Sequence, residues 1–371
     1  MSIDCKKDKD IFSIVHNNMK GRVGVIYTAH GPISTPSYVP VATNAVIKGC
    51  DSQVIDEIDI DLLFVNTYHM LVHPGDLIVK NAGGLHSFMQ RKKPIITDSG
   101  GFQIFSLRYG GVTEELKSKG MKKITNSVIK VAEEGVWFRS YRDGKLLFVS
   151  PESTIQAQKN LNSDIIIPLD ELLPFHIEKK IFEKSFEKTH RWQIRSYKEH
   201  EKNKNNQLIY AVIHGSVYPE YRKKSASILC QYDFDGFAIG GSLGKNTSDV
   251  VDVLKSTLQW LPPEKPRHLL GIADFKTIEL AIELGVDTFD SAYPTKCARH
   301  GWLFTDNGPI KILQSKWRDC HEPFSRAPRL VKYTYAYLHH LFKSHEQVAG
   351  MFASIHNIWY LNEYCKKIRL F

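Results

Sequence analysis

One pattern recurs along this chain: a short apolar run whose C-terminal end changes to polar residues or glycine. Amphipathic, helix-like segments lie between most of these runs, as at 151–161 and 277–284. Strands that alternate with helices form a parallel sheet with right-handed crossovers. Seven or eight such units predict an α/β fold, a closed (β/α)8 TIM barrel rather than an open sheet. The apolar runs are 62–65, 95–98, 164–170, 208–214, 236–241, 268–271 and 288–290.

Parts of the chain depart from this alternation, and they separate the predicted barrel from an insertion and a C-terminal extension. Residues 1–310 are predicted to form the barrel, after a polar lead-in over residues 1–20. An insertion is expected near 104–150, where Asp143-Gly144 is a strong hairpin turn between alternating strands. After Pro309 the alternation ends, and residues 311–371 are predicted to form a helical C-terminal extension.

Composition narrows the class of protein. The formal net charge of +9, from 49 Lys and Arg against 40 Asp and Glu, permits an anionic partner such as a nucleic acid. No apolar run approaches the roughly 18 to 20 residues that cross a bilayer, so no membrane association is expected. The six cysteines include no C-x-x-C pair, which favours free thiols in the cytoplasm over a disulfide framework.

Polar groups follow several of the predicted strands. Barrel strands end at one common mouth, so Asp98, Asp170 and Asp290 are expected to converge there and to line a polar pocket. The Asp98-Ser99-Gly100-Gly101 turn offers a carboxylate, a hydroxyl and bare backbone, and an aromatic ring follows at Phe102. Such a set suits a flat, polar heterocycle. The alternative is that Asp98 and Asp290 only cap the helices that follow them.

The motifs at these positions resemble the tRNA-guanine transglycosylases, over about residues 35–356. The TDSGGFQ and FDSAYPT-x-x-AR-x-G motifs, in this order, are the most specific part of the resemblance. The full set of matching segments is TDSGGFQIFSL, EEGVWF with RDG, PES, DIIIPLDE, IGG, DTFDSAYPTKCARHGWLF and AYLHHL.

The resemblance implies an exchange of the wobble guanine of G-U-N anticodon tRNAs for a 7-deazaguanine base. Asp290 matches the nucleophile that forms a covalent ribosyl-enzyme, and Asp98 matches the general acid/base. The implied base-binding residues are Asp98, Ser99, Gly100, Gly101, Phe102, Asp170, His214, Gly241 and Leu270. The implied tRNA-binding residues are Gly271, Thr295, Lys296, Cys297, Ala298 and Arg299.

The chain also departs from the pattern of the bacterial members. Their C-terminal zinc site uses C-x-C-x-x-C and a later histidine, but Ser325, Ala327 and Leu330 stand at the cysteine positions. Only His356 is retained, and one imidazole does not hold a structural zinc ion, which takes four N or S ligands. We therefore expect no metal and no other cofactor.

The base pocket departs as well. His214 replaces the glutamine that reads the base carbonyl, Leu172 replaces a cysteine, and Gly244 replaces a valine. Eukaryotic members also have glycine at the position of Gly244. The missing side chain predicts room for the cyclopentenediol of queuine, whereas random change in a loop is the alternative. The smaller precursor, 7-aminomethyl-7-deazaguanine, is the other candidate base.

Two other functions remain open on the sequence. A retaining glycosidase or nucleoside hydrolase would use Asp98 and Asp290 as its carboxylate pair without tRNA. A non-catalytic RNA-binding partner subunit would not need either acid. Lys296 and Arg299 argue against the first function, and the presence of both acids argues against the second. The resemblance also implies a homodimer.

Overall fold

The computed structural model describes residues 11–18, 21–109, 128–272 and 274–370. Part of the predicted insertion, at 110–127, therefore lies outside the described residues. The strands are β1 (Phe12–Asn18), β2 (Gly21–Thr28), β3 (Gly31–Thr35), β4 (Ser37–Ala42), β5 (Leu63–Val65), β6 (Ile95–Thr97), β7 (Val128–Val131), β8 (Val136–Arg139), β9 (Leu146–Val149), β10 (Ile165–Ile166), β11 (Leu208–Ile213), β12 (Gly236–Ile239), β13 (Arg267–Leu269), β14 (Thr288–Ser291), β15 (Trp302–Leu303) and β16 (Ile310–Lys311).

Helices follow most of the strands. They are α1 (Ser52–Glu57), α2 (Thr67–Val72), α3 (Asp76–Asn81), α4 (Leu85–Phe88), α5 (Gly101–Tyr109), α6 (Pro151–Leu161), α7 (Lys179–Lys202), α8 (Pro219–Leu229), α9 (Thr247–Leu258), α10 (Phe275–Glu283), α11 (Tyr293–Arg299), α12 (Tyr335–Lys343) and α13 (Gln347–Arg369). None of these helices is long and apolar enough to cross a membrane.

Eight parallel strands close into a barrel, which confirms the predicted fold. Their order around the barrel is β4, β5, β6, β10, β11, β12, β13 and β14, and β14 pairs with β4 to close the ring. The residues of β11 show why such strands read as continuous apolar runs: Ile209, Tyr210, Ala211 and Val212 are all fully buried. A parallel strand covered on both faces has no solvent side to alternate with.

The first strands cover one end of the barrel. β1, β2 and β3 form an antiparallel sheet, and Phe12, Ile26 and Ile33 pack with the residues that fill the barrel interior. Arg22 of β2 forms a buried ion pair with Asp287, which lies just before β14. The polar lead-in predicted for residues 1–20 therefore contains a strand, because pairing with β2 lets Phe12 reach the barrel core.

Two further predictions concern the insertion and the C-terminal extension. β8 and β9 form the predicted hairpin around Asp143-Gly144, and β7 adds a third antiparallel strand. The extension is helical, since α12 and α13 occupy most of 335–369. Ile355, Leu361 and Cys365 of α13 belong to the same buried cluster as Tyr38 of the barrel. The extension therefore packs directly on the barrel core.

Candidate active site

Close contacts connect the C-terminal ends of six barrel strands, β6, β10, β11 and β12 in one series and β13 with β14. A Cβ on Gly101 would lie 2.6 Å from the carbonyl oxygen of Asp170, so these two loops touch. His214 Nε2 lies 2.9 Å from Asp170 Oδ2. A Cβ on Gly241 would lie 3.0 Å from His214 Nδ1, and the amide of Gly271 donates to Asp290 Oδ1 at 3.0 Å. The structure thus brings together the segments that the sequence assigned to one mouth.

Asp98 lies at the end of β6, buried and surrounded by hydrogen-bond donors. Its Oδ1 accepts the backbone N–H groups of Thr67 at 2.8 Å and Gly100 at 3.1 Å. Its Oδ2 accepts the side-chain amides of Asn66 at 2.8 Å and Gln103 at 3.0 Å. Burial raises the pKa of Asp98 to about 6, although these four donors act in the opposite direction. A carboxyl with a pKa near neutrality can both give and take a proton.

The turn after Asp98 is built for close backbone approach. Gly100 has φ +82°, and a Cβ there would lie 3.0 Å from the backbone nitrogen of Tyr68. Ser99 is buried, and its Oγ accepts the N–H of Gly101 at 3.2 Å. Phe102 lies in the first turn of α5 with 44% of its surface exposed, so its ring is not part of the core. The ring is therefore accessible to a planar ligand.

Asp170 and His214 form a pair that the sequence did not predict. The ionised carboxylate can only accept, so the imidazole Nε2 carries the proton in their 2.9 Å hydrogen bond. Ser225 Oγ accepts the backbone N–H of His214 at 3.0 Å and contacts His190 Nε2 at 2.7 Å. His214 is thus held through both its backbone and its side chain. The unusual histidine has a defined role: it fixes one oxygen of Asp170.

A buried arginine shapes the loops that carry His214 and Gly241. The guanidinium of Arg222 is fully buried and donates to four backbone carbonyls. Their oxygens belong to Ile213 (2.7 Å), Ser216 (2.8 Å), Gly240 (2.9 Å) and Ser242 (2.9 Å). Carbonyls that would otherwise face each other without donors at the strand ends are satisfied in this way. Sequence reasoning missed Arg222, because a lone arginine in a helix reads as a surface residue.

Asp290 lies within β14 and also has a partner that the sequence did not predict. Its Oδ1 accepts from His268 Nε2 at 3.1 Å and from the N–H of Gly271 at 3.0 Å. His268 is fully buried in β13, and its Nδ1 lies 2.8 Å from Thr288 Oγ1. A histidine in an apolar strand next to the one carrying Asp290 was the available signal. The alternative that Asp290 caps the next helix is excluded, since Ser291 Oγ accepts the N–H of Tyr293 there.

Asp98 also accepts two backbone N–H groups near the starts of helices, but only one of them lies near the helix that follows it. Its carboxylate does accept the N–H of Thr67, the first residue of α2, and that of Gly100 just before α5. Capping and proton transfer do not exclude each other, because a carboxylate has about four acceptor positions.

The predicted tRNA-binding residues on α11 divide into two groups. Lys296 and Arg299 are exposed on α11, and Cys297 is half-buried. Thr295 and Ala298 are buried on the opposite side, and Ala298 belongs to the main core cluster. The side chains of these two residues pack beneath α11, and the predicted contact of this helix with tRNA stays a prediction.

The two predicted pocket-size residues lie at different places. Leu172 is half-buried and packs on the cluster that includes Phe105 and Leu169. Gly244 has φ +97°, and a Cβ there would lie 2.2 Å from the Cβ of Asp249. A local backbone requirement therefore favours glycine at 244 independently of any ligand. The larger base pocket remains a prediction.

The positions that the resemblance assigns to zinc ligands do not fit the metal. Ser325, Ala327 and Leu330 offer a hydroxyl and two alkyl groups. Both nitrogens of His356 are engaged, Nδ1 with Ser325 Oγ at 2.9 Å and Nε2 with the carbonyl of Phe304 at 2.8 Å. Burial lowers the pKa of His356 to about 4, which keeps the imidazole neutral. Hydrogen bonding and packing hold this region together.

Another group of possible metal ligands lies at the opposite end of the barrel. His30, His86 and Asp164 bring one ligand atom each within 4.8 Å of one another. The two imidazoles are stacked, with ring centroids 3.5 Å apart and planes 13° from parallel. An ion bound by both would have to lie in both ring planes, which this stacking does not allow. The group instead ties the β2–β3 turn to Asp164, which also accepts the N–H of Ile95 at 2.9 Å.

Comparisons with known proteins agree over almost the whole chain. The family model described as queuine tRNA-ribosyltransferase matches residues 17–370. A protein named queuine tRNA-ribosyltransferase from Protochlamydia amoebophila is 49% identical over 363 residues, which cover 96% of this chain and 94% of that protein. Proteins of the same name from Chlamydia muridarum and Chlamydia caviae are 52% identical over 364 residues and 51% identical over 373 residues, with 96% of this chain and 97% of each protein covered.

Proposed function

The chain belongs to the queuine tRNA-ribosyltransferase family, and we propose that it replaces the wobble guanine of G-U-N anticodon tRNAs by a 7-deazaguanine base. The observation that carries this proposal is the pair of carboxylates at the barrel mouth, Asp98 and Asp290, each in a different environment. Asp98 is buried with a raised pKa. Asp290 has one oxygen held by two donors. These are the properties needed for a proton carrier and for a nucleophile.

The reaction proceeds in two halves. Asp290 attacks the ribose anomeric carbon, the glycosidic bond to guanine breaks, and a covalent ribosyl-enzyme forms, as in retaining glycosidases. Asp98 gives its proton to the departing guanine. In the second half Asp98 takes a proton from the incoming base, whose ring nitrogen then displaces Asp290 from the anomeric carbon. Both acids start the next cycle unchanged.

Asp170, His214 and Phe102 recognise the base. His214 fixes Oδ2 of Asp170, so Oδ1 is left to accept from the exocyclic amine and ring N–H of a guanine-like base. Phe102 stacks on one face of the base and Leu270 packs on the other, while Gly241 offers its amide. To reach these residues, the nucleotide must flip out of the base stack of the anticodon loop, and this unstacking costs a few kcal/mol. Lys296 and Arg299 are exposed beside the mouth and hold the neighbouring phosphates.

The incoming base is queuine in our proposal. A glycine at 244 removes the side chain that would oppose its cyclopentenediol. The alternative is that the strained backbone of Gly244, and not the base, requires the glycine. In that case the precursor 7-aminomethyl-7-deazaguanine is the substrate. We propose in addition that the chain needs no zinc and acts as a homodimer.

Displacement of radiolabelled guanine from a G-U-N tRNA tests the proposal. Wild-type protein, Asp290→Asn and Asp98→Asn are each incubated with labelled tRNA and with either queuine or the precursor. Release of guanine with queuine and not with the precursor supports the exchange reaction and the choice of base. Release with the precursor and not with queuine contradicts the part on Gly244. Release without any tRNA-linked product would indicate a hydrolase. Absence of release by the wild-type protein, with tRNA binding intact, would indicate a non-catalytic RNA-binding subunit.

A further inference from the structure

We infer that His268 is a positioning residue: its Nε2–H holds one oxygen of Asp290 so that the other oxygen is directed at the ribose. The inference rests on the proposed role of Asp290 as the nucleophile. Within the described residues, the hydrogen bonds to the Asp290 carboxylate both end on Oδ1, from His268 Nε2 and from the N–H of Gly271. Oδ2 is therefore the oxygen that stays available for attack.

The donor role of His268 Nε2 follows from its partner. An ionised carboxylate has no proton to give, so the 3.1 Å contact with Asp290 requires a proton on Nε2. On the other side, Nδ1 lies 2.8 Å from the hydroxyl of Thr288, which can donate. The ring thus donates to Asp290 through Nε2 and hydrogen-bonds to Thr288 through Nδ1. Thr288 and Asp290 lie on the same face of β14, two residues apart, and His268 bridges them from β13.

Packing fixes the ring as well as the hydrogen bonds do. The His268 side chain is fully buried, and the ring of Phe64 lies nearly parallel to it, with centroids 6.1 Å apart and planes 17° from parallel. A side chain in such surroundings has little freedom to rotate. Orientation of the nucleophile matters because a small misplacement of reacting atoms can lower a rate by about 100-fold. His268 contacts Asp290 and acts through it.

Two substitutions of His268 distinguish the role of its hydrogen-bond donor from that of ring packing. In His268→Gln the amide nitrogen occupies roughly the place of Nε2, whereas in His268→Asn it occupies that of Nδ1. We expect His268→Asn to form the covalent tRNA adduct about 10- to 100-fold more slowly, the usual effect of losing a hydrogen bond to a charged group. His268→Gln should remain within about 3-fold of the wild-type rate. The KM for tRNA should be unchanged in both variants, since His268 acts only after binding.

The adduct is measured in single-turnover reactions on denaturing gels. His200→Asn is the matched control, because His200 is equally buried but lies in α7. It should lower the melting temperature without slowing adduct formation. Equal slowing of His268→Gln and His268→Asn would overturn the inference in favour of ring packing, and wild-type rates in both would overturn it altogether. If Asp290→Asn still forms the adduct, the proposed nucleophile is wrong, which is a different outcome.

A measurement on the wild-type protein covers the case in which these variants do not fold. Nitrogen-15 labelling of histidine reports which ring nitrogen carries the proton. We expect a protonated Nε2 at His268, with a resonance that shifts in Asp290→Asn. An unprotonated Nε2 would overturn the inference, since such a nitrogen cannot donate to a carboxylate.

Discussion

His214 Nε2 lies 2.9 Å from Asp170 Oδ2, across two neighbouring barrel strands. The two oxygens of this carboxylate therefore differ: His214 holds Oδ2, and Oδ1 remains available to a ligand. A histidine at this position is compatible with the proposed base recognition, because it orients the carboxylate to which we assign that role.

His214→Ala should weaken binding of the free base. The substitution removes the donor to Asp170 and leaves a buried carboxylate oxygen without a partner, which costs about 1–3 kcal/mol. We expect the KM for the incoming base to rise about 10-fold, with a smaller effect on the KM for tRNA. Exchange assays at varied base concentration measure both. His340→Ala, at an exposed position of α12, is the control, and an equal effect of the two substitutions would contradict the role of His214.

The two halves of the reaction should depend on pH in opposite directions. Burial raises the pKa of Asp98 to about 6, so the carboxyl is protonated below this pH and ionised above it. Adduct formation uses the protonated acid and should slow as the pH rises through about 6. Resolution of the adduct by an incoming base uses the carboxylate and should accelerate over the same range.

Rapid-quench experiments from pH 5 to 8 separate the two halves. The adduct is trapped in the absence of base for the first half, and base is then added to follow its disappearance. Asp98→Asn does not titrate and should abolish both pH dependences along with most of the activity. Parallel profiles for the two halves would show that Asp98 does not exchange the proton.

Gly244→Ala should destabilise the fold by more than its backbone angle accounts for. Its φ of +97° is unfavourable for alanine by about 1–2 kcal/mol, and the new Cβ would also collide with Asp249. Gly308→Ala is a matched control, because its φ is +92° and nothing lies within 4 Å of its added Cβ. Denaturant unfolding gives the two free energies. Equal losses would mean that Asp249 moves away at no cost.

His356 should make the protein less stable in acid. Its pKa falls from 6.5 to about 4 on folding because the ring is buried, so the unfolded chain binds the extra proton between these values. The contribution of His356 is fully present above pH 6.5 and is lost as the pH falls towards 4, by up to about 3 kcal/mol. Unfolding free energies of the wild type and His356→Gln should therefore converge as the pH falls. Other titrating groups cancel in this comparison, and parallel curves would contradict the assignment.

Removal of metal should leave stability unchanged. Ser325 and His356 hydrogen-bond to each other, and none of the three positions that match the zinc-site cysteines holds a sulfur ligand. The melting temperature with and without a strong chelator is the measurement. A fall of several degrees, restored by zinc, would mean that other residues bind the ion.

The sequence by itself determined the barrel and most of the mouth. Alternation of buried runs and amphipathic helices is a local property, because each parallel strand must be apolar on both faces. The start of α6 was also predictable from residues that are neighbours in the chain, because Ser150, Pro151 and Ser153 form a capping arrangement. Asp98, Asp170 and Asp290 were predictable since each follows or ends an apolar run.

Only the tertiary structure decided how these acids are held. The partners of Asp290 and Asp170 come from other strands: His268 lies 22 residues from Asp290, and His214 lies 44 residues from Asp170. No pattern along the chain reports which side chains a closed barrel brings into contact across strands. The same reason explains why Arg222 was missed and why the burial of Ala298 was not predicted. Hydrogen-bond partners and burial depend on distances in space, and closure of the barrel sets those distances.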